Sequence, residues 1–235
     1  ARSIALFSHV NPDGDTGGSA LALAAVLRKL DKDVELYCPS EVGGKLAFLD
    51  GWREYGAPKH REYYDLGIVV DCSDRNRLGE CVQVADFCHA IAVIDHHKTS
   101  TMQSDLSIVR PEVSATAELI FEIIDRLYPQ FLDKDIATLL FAAIVTDSGG
   151  FSFSSVSATT YAIGAELISL GVKPAPVFEH GLKATDKRVF DLRNRVLSKA
   201  KFYFDGRLGM IAFFPDDFAA TGTTDRDTEG IVNFV

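Results

Sequence analysis

Apolar and polar positions along this chain come in blocks. Ile4-Ala5-Leu6-Phe7 is apolar without interruption, which predicts a strand buried on both faces, and it empties into the polar loop Ser8-His9-Val10-Asn11-Pro12-Asp13-Gly14-Asp15. Gly17 to Leu30, GGSALALAAVLRKL, is apolar nearly all round and predicts a buried helix. Its first turn, at Gly17, Gly18 and Ser19, points amide donors back at the loop, where a phosphate would be welcome, so these three are candidate substrate contacts. Further strands are expected at Asp33–Cys38, Leu66–Val70, Ala90–Ile94 and Leu106–Val109. Glu41 to Arg61, punctuated by glycines and Pro58, reads as irregular with a short helix at Lys45–Leu49.

Helical patterning dominates the chain beyond Val109. A helix opens near Ser114 or Ala115, with Glu118 at capping-box spacing, and runs to about Leu127. Another spans Asp135 to Val145 and ends at Thr146-Asp147-Ser148-Gly149-Gly150. A third spans Ala158 to Leu170 and is closed by Gly171; Pro174 and Pro176 precede a short one. Thr185 to Lys199 is amphipathic and basic. Lys201–Phe204 and Leu208–Phe214 flank Asp205-Gly206 as a hairpin, and Thr223 to Val235 reads as the opening of a helix. Apolar strands that end in polar residues and alternate with helices are the pattern of a parallel sheet covered on both faces. The expected organisation is an α/β domain over residues 1–182, a linker helix over 183–200, and the start of a smaller α/β domain over 201–235, which alone buries little surface.

Composition narrows the partners. With 235 residues, 47% hydrophobic and 24% charged, the chain can bury a large core, and its net charge of −9 argues against gripping long duplex nucleic acid. A short anionic substrate is compatible if metal supplies the positive charge. Cys38, Cys72, Cys81 and Cys88 show no zinc-like spacing, and no apolar run of about 18 residues is present for a membrane span. A cytoplasmic protein with reduced, packed thiols and no membrane partner is expected. The apolar Gly17–Leu30 helix does not by itself imply a homodimer, which stays open. Lys183, Lys187, Arg188, Arg193 and Arg195 face either a substrate cleft or solvent.

In parallel sheets ligands sit beyond the carboxyl ends of the strands, and here three strands deliver His9, Asp13, Asp15, Asp71, Asp95, His96 and His97 to one edge. Taken singly, each has a bland reading: Asp-Gly-Asp is ordinarily a turn, Asp71 caps a helix, and His96-His97 is a surface pair. Their meeting at one edge favours a cation cage. Asp147, at a helix C-terminus where the dipole is negative, also calls for a positive partner.

Four segments, Ser8-His9-x-x-Pro12-Asp13-Gly14-Asp15, Val70-Asp71-x-x-Asp74, Ile94-Asp95-His96-His97 and Thr146-Asp147-Ser148-Gly149, stand in the order of the motifs of the DHH phosphoesterase superfamily, which the chain resembles over about residues 1–180. That superfamily includes RecJ exonucleases, family II pyrophosphatases and oligoribonuclease/pAp-phosphatase proteins. The tail from Asp205 to Phe234 resembles the start of a DHHA1 domain. The resemblance implies two divalent cations, Mn²⁺ first and Mg²⁺ or Co²⁺ as alternatives. His9, Asp13 and Asp71 would hold one, and Asp15, Asp71, His96 and Asp147 the other. His97 would contact the scissile phosphate, with Asp95 orienting a histidine and Asp71 bridging in the catalytic set. Implied substrates are short oligoribonucleotides, linear dinucleotides or 3′,5′-bisphosphonucleotides, attacked by water activated between two ions. Inorganic pyrophosphatase is the alternative within the superfamily, and a non-catalytic nucleotide-binding module the alternative outside it.

Overall fold

The computed structural model describes residues 1–40, 42, 46–56, 63–72, 74–99, 101–183, 186–228 and 230–235. Two compact units make up the chain, Ala1–Lys183 and Ala184–Val235. The first contains, in order, β1 (Ser3–Phe7), α1 (Gly14–Lys29), β2 (Asp33–Tyr37), β3 (Tyr55–Gly56), β4 (Leu66–Val70), α2 (Val82–Ala85), β5 (Ile91–Asp95), β6 (Leu106–Val109), α3 (Thr116–Leu127), α4 (Lys134–Asp147), α5 (Ala158–Ser169) and α6 (Pro174–Phe178).

The six strands are all parallel and lie in the order β3-β2-β1-β4-β5-β6. From β1 the chain first builds outward to β3, then returns to lay β4 on the other side of β1. That reversal opens a crevice at the carboxyl ends of β1 and β4. The unbroken apolar strands follow from burial on both faces. Ile4, Leu6, Ile68, Val70, Ala92 and Ile94 point into one core with α1, α3 and α4, while Ala5, Phe7, Val69 and Val93 point into a second with Tyr37, Tyr64, Leu78 and Cys81.

Helices α1 and α4 pack close enough that their small residues are obligatory. A Cβ on Gly18 would stand 2.6 Å from the Leu139 carbonyl oxygen and 2.9 Å from Ala143 Cβ. This contact sets the carboxyl end of α4, and with it Asp147, beside the start of α1.

Several expectations change. Helix α1 begins at Gly14, three residues before Gly17, because Asp13 caps it and accepts the Thr16 N–H at 2.9 Å. Within the stretch expected to be irregular, Tyr55–Gly56 adds an edge strand; residues 57–61 lie outside the described residues. Lys45 of the expected short helix also lies outside them, and Leu46–Leu49 is a turn closed by Leu49 N–H to Leu46 O. Pro174 and Pro176 sit inside α6, at positions that need no intrahelical donor.

The second unit holds α7 (Lys187–Leu197), β7 (Lys201–Tyr203), β8 (Leu208–Met210) and α8 (Pro215–Thr221), with β7 and β8 forming the antiparallel hairpin. Helix α7, expected as a linker, contributes to this unit's core instead: Leu192 and Val196 bury with Ile231. Buried Asp217 on α8 accepts Arg195 Nε at 2.6 Å and also pairs with Lys199. Lys187 pairs with Asp191 and Arg188 with Asp186, while Arg193 lies over Phe190 and Phe234; the side chain of Lys183 lies outside the described structure. The expected helix at Thr223–Val235 is two 3₁₀ turns, Asp225–Thr228 and Ile231–Phe234, separated by Gly230 at φ +75°. Among the described residues no helix is long and apolar enough to cross a membrane.

Candidate metal centre

The loop after β1 supplies His9, whose ring is nearly buried, and its capping residue Asp13; Asp15 follows in the first turn of α1. Asp71 directly follows strand β4 and adopts φ +57°, a left-handed conformation that aspartate tolerates better than most residues. That turn carries the Asp71 carboxylate into the crevice. Asp95 closes β5, with His96 and His97 directly after it, and Asp147 is the last residue of α4.

The six residues expected to bind metal converge. His9, Asp13 and Asp71 form one group with ligand atoms all within 4.8 Å of one another; Asp15, His96 and Asp147 form a second, and Asp71, His96 and His97 a third overlapping one. Asp71 joins them: its Oδ2 faces His9 Nε2 at 3.8 Å and its Oδ1 faces His96 Nε2 at 3.6 Å. His96 Nε2 also stands 3.3 Å from Asp147 Oδ2 and 3.9 Å from Asp15 Oδ2. One carboxylate thus turns a separate oxygen to each of two imidazole groups.

Both histidines turn Nε2 toward the Asp71 carboxylate. His9 Nδ1 is 2.8 Å from the Val10 carbonyl and His96 Nδ1 is 3.3 Å from the Val113 carbonyl. A carbonyl accepts from a protonated Nδ1, the tautomer in which each Nε2 can ligate a cation. Asp13 and His97 (41% side-chain exposure each) and Asp147 (31%) face solvent, whereas His9 and Asp71 are at 2%, so the cage opens on one side.

Electrostatics ask for cations here. Burial pushes the Asp15 carboxyl up to about 7, aided by the nearby Asp13 charge; burial, with Asp15, does the same to Asp147, also to about 7. Burial, then Asp15 and Asp13, drives Asp71 well above the ordinary carboxylate range. Among the described residues no lysine or arginine is ion-paired with Asp13, Asp15, Asp71 or Asp147. Four carboxylates without a counter-charge and two imidazole nitrogens, without thiolate, suit hard or borderline divalent ions.

Around the cage, Asp15 accepts the backbone N–H groups of Thr116 at 2.6 Å and Ala117 at 3.0 Å, and the Ser19 hydroxyl at 2.9 Å. It thereby caps α3, whose own Ncap residue, Ala115, has no acceptor; the predicted Glu118 capping contact is made to the Ser114 N–H. Asp95 Oδ1 accepts the His96 and His97 N–H groups and lies 2.7 Å from His97 Nδ1, and this hydrogen bond raises the His97 pKa.

The structure does not place Gly17, Gly18 and Ser19 as substrate contacts. Gly17 faces Leu46 and Leu49, Gly18 faces α4, and the Ser19 hydroxyl is spent on Asp15. The helix starts earlier than its apolar pattern suggests, so these residues fall in its packed interior. Conversely, two threonines join the site that sequence reasoning missed. Thr16 Oγ1 lies 2.6 Å from both His9 Nε2 and Asp71 Oδ2, and Thr116 Oγ1 donates to Asp71 Oδ1 at 3.0 Å. Their only sequence signal is position, one residue after Asp15 and at the first position of a helix that follows a strand end.

Known proteins resemble this chain in sequence and fold. The chain is 33% identical over 233 residues, 99% of its own length and 69% of the relative's, to the bifunctional oligoribonuclease and PAP phosphatase NrnA of Thermus thermophilus. It is 31% identical over 153 residues, 62% of this chain and 48% of the other, to a probable manganese-dependent inorganic pyrophosphatase of Bacillus licheniformis. The crystal structure of an exopolyphosphatase-related protein from Bacteroides fragilis superposes with a TM-score of 0.90 at 28% identity, covering 99% of this chain and 72% of that one. A family model described as the DHH family, N-terminal domain, matches residues 3–144, more than half of the sequence and the part that carries all but the last of the caged residues; the chain belongs to the DHH family.

Proposed function

We propose that this protein is a divalent-metal-dependent phosphoesterase that hydrolyses short oligoribonucleotides, linear dinucleotides or 3′,5′-bisphosphonucleotides such as pAp. The observation that carries this reading is the Asp71 carboxylate with one oxygen toward His9 and the other toward His96. In the proposed centre, His9, Asp13 and Asp71 would hold one ion and Asp15, Asp71, His96 and Asp147 the other, with Mn²⁺ the preferred ion and Mg²⁺ or Co²⁺ substitutes. When bound, such ions would supply charge to neutralise a phosphate and to lower the pKa of water.

The chain's own groups do the rest. Asp95 fixes the His97 ring through Nδ1 and favours its charged form, which leaves Nε2–H to bind a phosphate oxygen and to protonate the departing ribose or phosphate oxygen. Thr16 and Thr116 hold the two Asp71 oxygens by hydroxyl hydrogen bonds. The tail motif supports reading the second unit as DHHA1-like.

A substrate panel tests this: pAp, di- to tetraribonucleotides, linear dinucleotides and pyrophosphate, each with Mn²⁺ and after chelation. Metal-dependent release from the nucleotides, with pyrophosphate slow, is expected. Preferential pyrophosphate hydrolysis would move the assignment to pyrophosphatase, and no turnover of any substrate would leave a binding module.

A further inference from the structure

One guanidinium reaches the acidic cage, and no expectation from sequence assigned it a role. Arg77 lies in the 3₁₀ segment Arg75–Cys81 that follows β4, and it is half-buried. Its carbonyl accepts the Val10 N–H at 2.8 Å, which fastens this segment to the His9 loop. Its Nη2 stands 2.9 Å from His9 Nδ1. The guanidinium therefore borders the first proposed ion site.

The partner that Arg77 meets in the structure, the His9 ring nitrogen, is lost to it once His9 ligates a cation through Nε2. His9 Nδ1 is also 2.8 Å from the Val10 carbonyl, and one ring nitrogen cannot donate to that carbonyl and accept from Arg77 at once. In the tautomer that turns the Nε2 lone pair toward Asp13 and Asp71, Nδ1 carries the proton, and Arg77 faces another donor. Among the described residues no carboxylate lies within ion-pair distance of Arg77, whereas its neighbour Arg75 is paired with Asp86. With Nδ1 protonated, the forked N–H donors of Arg77, beside a site for an anion, are free to take one.

We propose that Arg77 is a substrate-binding residue whose guanidinium takes non-bridging oxygens of the substrate phosphoryl group on the His9 side of the cage. This rests on the phosphoesterase reading and deepens it: the inner wall is carboxylate, so an anion is gripped at the rim by Arg77 and His97. Arginine suits the task because a planar fork can engage two phosphate oxygens together and stays charged at every working pH.

The test measures binding of pAp calorimetrically with Ca²⁺ as a non-turnover ion, in the full chain and in Arg77→Gln and Arg77→Lys, beside Mn²⁺ titrations of each followed by electron paramagnetic resonance. Loss of a charged hydrogen-bonding partner is expected to weaken nucleotide binding about tenfold or more in Arg77→Gln, with part recovered in Arg77→Lys, while Mn²⁺ affinity changes less than about threefold. Nucleotide affinity equal to wild type in Arg77→Gln overturns the proposal. So does a parallel fall in Mn²⁺ affinity, which would mean that Arg77 acts by holding His9. A wild type that binds pAp but hydrolyses nothing in the panel counts against the phosphoesterase reading alone, since the Arg77 comparison still stands; a wild type that binds no nucleotide overturns both.

Discussion

The Thr116 backbone N–H donates to Asp15 Oδ2 at 2.6 Å, joining residues 101 apart in the chain. Asp15 therefore does two things with one carboxylate: it caps α3 and it lines the group formed with His96 and Asp147. A longer side chain in this fully enclosed position cannot satisfy both. Asp15→Glu is expected to lower Tm by about 2–10 °C, as overpacking by one methylene costs about 1–3 kcal/mol in a chain of this size. Mn²⁺ stoichiometry should fall from two toward one. Unchanged stoichiometry would show that Asp15 serves α3 alone.

Asp71 is the residue where activity and stability oppose each other. Its carboxyl is buried beside Asp15 and Asp13, and its oxygens are satisfied by two hydroxyl groups that can rotate to suit an amide. Asp71→Asn should abolish turnover, by about 100-fold or more, yet raise Tm of the chelated protein near pH 8 by about 2–5 °C, because a buried charge is removed without orphaning its partners. Thermal melts in chelator decide it; a lower Tm than wild type would mean that the cage is not electrostatically strained without ions.

Asp15 and Asp147 titrate at about 7 in the folded chain against 3.8 for the ordinary carboxyl. Between these values the folded state holds more protons than the unfolded state. Their contribution to stability is thus fully present below 3.8 and is lost as pH rises through about 7. Ion binding needs both groups deprotonated, so Mn²⁺ uptake should release protons below about pH 7 and tighten up to that pH. The Tm gap between Mn²⁺-loaded and chelated protein should be larger at about pH 8 than at about pH 5.5. A gap that is equal or reversed would contradict the raised carboxyl values.

Gly18→Ala tests the helix contact that brings Asp147 to the site. Alanine is the better helix former by about 1 kcal/mol, but its Cβ would meet the Leu139 carbonyl at 2.6 Å, and backbone cannot swing aside. The clash should win, with Tm lower by about 2–10 °C and turnover reduced more than stability alone accounts for, since α1 and α4 carry Asp15 and Asp147. Full activity at unchanged Tm would show that this interface gives way at no cost.

What the sequence determined by itself was the parallel sheet and the identity of the caged residues. Strands buried on both faces must be apolar throughout, as at Ile4–Phe7, Leu66–Val70 and Ile91–Ile94, so the polar residues at their ends stand out, and a parallel sheet delivers those ends to one edge. His9, Asp13, Asp15, Asp71 and His96 were legible for that reason, and Asp147 as a carboxylate at a helix C-terminus that calls for a positive partner. Only the tertiary structure decided the rest, because it depends on contacts between distant segments: that Asp71 splits its two oxygens between His9 and His96, that Asp15 caps a helix about a hundred residues away, and that α7 belongs to the second unit's core. It also turned Gly17–Ser19 from a phosphate cradle into packing, since a capping aspartate starts α1 before its apolar pattern does, and it set Arg77 beside His9, a juxtaposition that no local spacing encodes.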